Sequence, residues 1–117
     1  MDGMNVIGSR PDGWWRDRAG AMRDLVAALN AYAGDSGEAV TVVFDGKPVE
    51  VPDVPRVEVA FARGGRNAAD REIVRLLEAA SDPAAVRVVT SDVDLAQRAE
   101  ELGAEVVPAG SFRRGLD

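Results

Sequence analysis

The chain has 117 residues, 46% apolar and 29% charged, which suits one soluble globular domain spanning residues 1–117. It contains no Cys and no His, which excludes disulfide staples, thiol catalysis, a Ser-His-Asp triad and the usual zinc sites. The net charge of −6 argues weakly against a nucleic-acid partner: every cation but Lys47 is Arg, the better bidentate partner of phosphate, and bound divalent ions would offset the acids.

No apolar run approaches the ~20 residues of a membrane helix and no leader pattern precedes the first charge, so a cytoplasmic protein without membrane contact is expected. In chain order, residues 4–7 are the first candidate strand, or else the upstream half of that strand lies outside the sequence. Residues 18–33 carry Met22, Leu25, Val26, Leu29 and Tyr32 at helical spacing, and Gly34 and Gly37 are expected to break that helix. Residues 40–44 form a β-branched, almost wholly apolar run, the pattern of a strand buried on both faces. The connection that follows holds three prolines and cannot be a crossover helix. Residues 57–61 partly alternate and read as a half-exposed edge strand. A second helix places Ile73, Leu76, Leu77 and Ala80 on one face behind Asn67 as N-cap. Residues 86–90 make a strand, Leu95, Ala99 and Leu102 mark a third helix, and residues 105–107 make a last short strand. The alternation α-β-β-α-β-α-β defines an α/β class with a mainly parallel sheet.

In open α/β sheets the ligand site lies beyond the carboxyl ends of the strands. Asp45 follows one strand directly, Asp92 and Asp94 follow another, Asp70 falls in the first turn of a helix, and Asp2 would end a first strand. Five acids converging from separate segments repel unless cations share the site, which is the chemistry of Mg²⁺ or Mn²⁺ among oxygen ligands. Each acid has a local alternative: Asp70 at N3 of a helix capped by Asn67, Asp94 at N3 behind Ser91, and Asp45-Gly46 as a turn pair. Arg10, Arg16 and Arg18 on one side, and Arg63, Arg66 and Arg71 on another, could cradle a phosphate backbone, or simply be solvated. Ser91 could touch phosphate or cap a helix. Trp14-Trp15 could stack on a base, with packing of at least one ring the commoner outcome.

Four segments carry a resemblance: Asp2-Gly3-Met4-Asn5-Val6-Ile7-Gly8, Val42-Val43-Phe44-Asp45-Gly46, Ala69-Asp70-Arg71-Glu72-Ile73 and Val89-Thr90-Ser91-Asp92. In this order they resemble the motifs of the NYN domains, in particular the YacP-like branch, within the wider PIN-like nuclease group. The resemblance implies a Rossmann-like three-layer fold with strand order 3-2-1-4-5. It also implies metal-dependent hydrolysis of RNA with Mg²⁺ or Mn²⁺ as cofactor, leaving a 5′-phosphate, and RNA as partner, in a ribosome-linked or mRNA-linked endoribonuclease role. By motif match it assigns Asp2, Asn5, Asp45, Asp70 and Asp92 to catalysis, and more loosely Asp94 to the metal set. The sequence departs from the family at its amino terminus, where only Met1 precedes Asp2 and the first strand is shortened to a stub.

Three other functions compete. A non-catalytic RNA- or ribosome-binding module would keep the fold with an incomplete site. A Toprim-like phosphotransfer domain could use Asp92-Val93-Asp94 but lacks a Glu after an earlier strand. A receiver domain would need a Lys after a late strand, and Lys47 is misplaced for it.

Overall fold

The strand β1 (Val40–Asp45) is the element on which the layers are built. The computed structural model describes residues 1–65 and 67–116. Along β1, successive side chains point to opposite faces. Val42 and Phe44 enter one core with α1 (Gly3–Ile7), α2 (Arg18–Ser36) and α5 (Ala109–Leu116). Val43 enters a second core with α3 (Ala68–Ala79) and α4 (Val93–Glu101). Strand β2 (Val57–Ala62) pairs parallel with β1, and β3 (Arg87–Val89) pairs parallel with β4 (Glu105–Val107). Short 3-10 turns at Trp14–Arg16 and Pro83–Ala85 complete the order.

The four strands form two separate two-stranded sheets. Met1 and Asp2 connect them. Asp2 N–H donates to the Val89 carbonyl at 3.1 Å, Val43 N–H donates to the Met1 carbonyl at 2.9 Å, and the Met1 ammonium donates to the Thr41 carbonyl at 2.8 Å. Beside this bridge the sheets part around a cleft of about 550 Å³ lined by Val40, Thr41, Val88, Val89 and Phe112 among others. Arg87 spans from β3 to the end of α2, bonding the Tyr32 hydroxyl at 2.9 Å and pairing with Glu38.

The strands, α3 and α4 form within a residue or two of their expected positions, and β2 takes the expected edge position with Glu58 exposed. Several expectations are corrected. Residues 4–7 are helical, because Gly3 lets α1 close on β1: a β-carbon there would lie 2.9 Å from Val42 Cγ2 and inside the Phe44 ring's envelope. Helix α2 passes through Gly34 and ends at Gly37, whose left-handed φ of 75° makes it the C-cap. On α3, Ile73 and Leu77 are buried whereas Leu76 is 37% exposed. Helix α5 was not anticipated.

Gly3→Ala is expected to destabilise the fold by about 1–3 kcal/mol through overpacking. The effect reads as a fall in Tm of roughly 4 °C per kcal/mol in thermal unfolding. Gly115→Ala, where an added methyl meets nothing within 4 Å, should leave Tm unchanged or raise it.

Candidate active site

Each acid is delivered by an element that would form for other reasons. Asp45 is the last residue of β1, and its Oδ1 accepts from the Ala69 N–H at 2.9 Å, capping α3 from a different segment. Asn67 stands at the expected cap position but makes no side-chain cap bond. Its φ of 63° is the only positive non-glycine value among the described residues, and Asn tolerates that conformation better than most. Asp92 is the N-cap of α4, its Oδ1 accepting from Leu95 N–H at 2.9 Å. The expected cap, Ser91, instead accepts from the Ala109 N–H at 2.9 Å and so starts α5. Its own N–H donates to Asn5 Oδ1 at 2.6 Å, which fixes α1 against the loop carrying Asp92. Asp70 and Asp94 lie in the first turns of α3 and α4, where a carboxylate is favoured by the helix dipole.

Thr90, to which the sequence motifs assign no role, is the junction of the site. Fully buried, its hydroxyl donates to Asp2 Oδ2 at 3.2 Å and accepts from the Asp92 N–H at 3.1 Å. A hydroxyl that ends an apolar strand just before an acid is the signal that could have marked it.

The electrostatics tie the acids together. Asp2 is only 5% exposed; burial raises its pKa above the usual carboxylate value, the Thr90 hydroxyl works against that rise, and the charge of Asp45 adds to it. The Asp70 pKa is pushed up to about 6, by burial first and then by the charges of Asp2, Asp92, Asp45 and Asp94. The Met1 ammonium, buried beside Asp2, is pushed down to about 6. The charges of the other four predicted carboxylates therefore all bear on Asp70.

Among the described residues, no three acidic side chains lie close enough to cage an ion by themselves. The donors are nonetheless of the right kind. They are hard carboxylate oxygens, mutually repelling, and suited to a Mg²⁺ or Mn²⁺ ion that keeps most of its water and takes one or two protein ligands.

The basic residues are brought to the site unequally. Arg18 Nη2 donates to the Asp45 main-chain carbonyl at 2.6 Å, so it stands beside the acids. Arg16 and Arg63 are exposed, at the end of a 3-10 turn and in the turn after β2. Arg66 lies outside the described residues. Arg71 Nη2 donates to the Gly64 carbonyl at 3.1 Å. Trp14 packs on the larger core while Trp15 stays 57% exposed, edge-on to it.

Parallel strands covered by helices, with acids gathered at the strand ends, are the arrangement of a PIN-like nuclease domain. The family model of the YacP-like NYN domain, a PIN-like nuclease family, matches residues 1–117, and the chain belongs to that family. The chain is similar to the crystal structure of Rae1 (YacP) from Bacillus subtilis, with 30% identity and a TM-score of 0.79 over 98% of this chain and 70% of that one. It is similar also to the W164L mutant of that protein, with 28% identity and a TM-score of 0.82 over 98% and 71% of the two chains. No curated protein matches the sequence. Membership sets aside the Toprim-like and receiver readings. Among the described residues, no helix is long and apolar enough to cross a membrane.

Two outcomes follow from this geometry. Thr90→Val should lower stability by about 1–3 kcal/mol, since it leaves the buried Asp2 carboxylate short of a donor, while Thr90→Ser restores most of the loss. In EDTA, Asp70→Asn should raise Tm at pH 8, where the wild-type carboxylate is charged among its neighbours. A raised folded pKa gives stability that is present at low pH and is lost as pH rises through about 6, so the mutant's advantage should vanish near pH 4.

Proposed function

We propose that the chain is a metal-dependent ribonuclease that hydrolyses RNA phosphodiester bonds at the carboxylate cluster. The observation that carries this reading is Asp70, whose pKa is raised by burial and then by the charges of Asp2, Asp45, Asp92 and Asp94, brought from three other segments. An arrangement that costs the apo protein stability is one that a cation relieves. Membership of a nuclease family supports the same conclusion.

One or two of Asp2, Asp45, Asp70, Asp92 and Asp94 would hold Mg²⁺ or Mn²⁺ directly, and the others would reach it through its water. When bound, such an ion supplies Lewis-acid stabilisation of phosphoryl charge and lowers the pKa of water. The protein's own contribution is positional. Thr90 holds Asp2 and the Asp92 backbone in one unit, Asn5 fixes the Ser91 amide, and Arg18 anchors the end of β1. Asp70, its pKa pushed up to about 6 in the absence of a cation, would meet the ion as a carboxylate, because the bound charge favours the ionised form. Arg16, Arg18, Arg63, Arg66 and Ser91 are assigned to the substrate backbone, with Ser91 contributing its hydroxyl hydrogen. In this proposal cleavage is internal and leaves a 5′-phosphate, and the RNA is mRNA engaged with the ribosome, as the resemblance in the sequence motifs implies. The same reading takes β2-β1-(Met1, Asp2)-β3-β4 as the order 3-2-1-4-5, supported by the backbone bonds of Met1 and Asp2 to both sheets.

One observation favours a second reading, a non-catalytic RNA-binding module. Asp45, Asp92, Asn5 and Ser91 all have structural partners that would retain them without chemistry. The two readings part on Asp92→Asn, which keeps a good N-cap and so the fold. With Mn²⁺ and single-stranded RNA, the ribonuclease reading expects loss of cleavage by at least about 100-fold at unchanged Tm. It also expects millimolar Mn²⁺ to raise the wild-type Tm, by roughly 2.7 kcal/mol of stability at 100 times Kd, and Asp70→Asn to lose that shift. Metal-independent RNA binding with no cleavage by wild type would establish the binding module instead.

A further inference from the structure

Helices α3 and α4 leave between them an open groove of about 440 Å³, lined by Asn67, Asp70, Arg71, Val74, Glu78, Asp94, Leu95 and Arg98. Its lining is ordered along its length. Asp70 and Asp94 belong to the carboxylate cluster. Arg98 follows Asp94 by four residues on the same helix, a rise of ~6 Å and the scale of one nucleotide step along a backbone. Val74 supplies apolar surface, Leu95 is only 2% exposed, and Glu78 lies two turns beyond Asp70 on α3.

We propose that this groove seats the single nucleotide of an RNA strand next to the scissile phosphate, with Arg98 receiving that nucleotide's distal phosphate. The inference rests on the ribonuclease reading and extends it to a subsite. Val74, partly exposed, offers the apolar contact for the base or sugar. Asn67 lines the groove just before α3; Asp45 already caps that helix, so the Asn67 amide is not used as a cap and can meet a base edge. Arg71 adds positive charge on the α3 side. Glu78 places a negative charge where the following phosphate would go, which limits the subsite to one nucleotide. Among the described residues, the guanidinium of Arg98 is held elsewhere only by a 3.7 Å contact with Glu101 between half-exposed side chains, an interaction worth little in water.

The test uses the full chain with Mn²⁺ and a mixed-sequence single-stranded RNA oligonucleotide. Arg98→Ala is expected to raise KM about tenfold with kcat nearly unchanged, and to reduce the salt dependence of binding by about 0.7 in log–log slope, one phosphate contact fewer. Arg98→Lys should recover much of the affinity, since it restores the charge, and Glu78→Gln should lower KM. Arg75→Ala, which removes the same charge from the outer face of α3 where Arg75 pairs with Glu72, should leave KM, kcat and slope as in wild type. Wild-type cleavage with an unchanged KM and slope in Arg98→Ala, or with equal losses in Arg75→Ala, would overturn the groove assignment alone. A wild type that neither binds nor cleaves RNA would overturn the ribonuclease reading and the subsite with it.

Discussion

The constraint on which the rest of this structure depends is like charge held at close quarters. Asp2, Asp45, Asp70, Asp92 and Asp94 reach one edge of the molecule from four places in the sequence, and the fold must restrain them. It does so with main-chain amides and one hydroxyl. The first turn of α3 donates to Asp45, the first turn of α4 donates to Asp92, and Thr90 donates to Asp2. Helix starts supply partial positive charge as well as hydrogen bonds, so the acids are offset by the elements that carry them. Asp70 is the one whose pKa records the remaining imbalance most clearly.

The two cores follow from the same arrangement. Strand β1 must be apolar on both faces because helices cover both, and its carboxyl end must be polar because it opens on the acids. That division is visible in six residues, from Val40 to Asp45. Between the sheets the connection is thin. Among the described residues, Met1 and Asp2 join β1 to β3 through the backbone bonds described, so the residue that carries one carboxylate also holds the two halves in register.

Much of this was legible in the chain, for physical reasons that differ by element. Strand β1 announced itself through β-branched residues with no polar break, and α3 and α4 through periodic Ile73, Leu77, Leu95 and Ala99. The gathering of acids was legible because strand ends share an edge in any parallel sheet. Helix α1 was hidden because five residues carry too little periodicity, and its stability is tertiary: Gly3 admits Phe44, and Asn5 grips Ser91. Helix α5 was hidden by its two glycines, and it starts on a hydroxyl 18 residues upstream. The caps were misassigned for a related reason. Local rules seek the cap in the residue just before the helix, whereas α3 takes its cap from Asp45, 24 residues earlier.

That distant cap has a consequence for how such chains change over time. Asp45 would be retained by selection for folding even if catalysis were no longer under selection, because losing it would strip the start of α3 of its acceptor. An acid at this position is therefore poor testimony that a chain still cuts anything. Asn is the informative replacement, since it preserves the acceptor and removes the charge. A lineage drifting away from chemistry would be expected to admit Asn at position 45 long before Ala, keeping the outline of the site after its charge had gone.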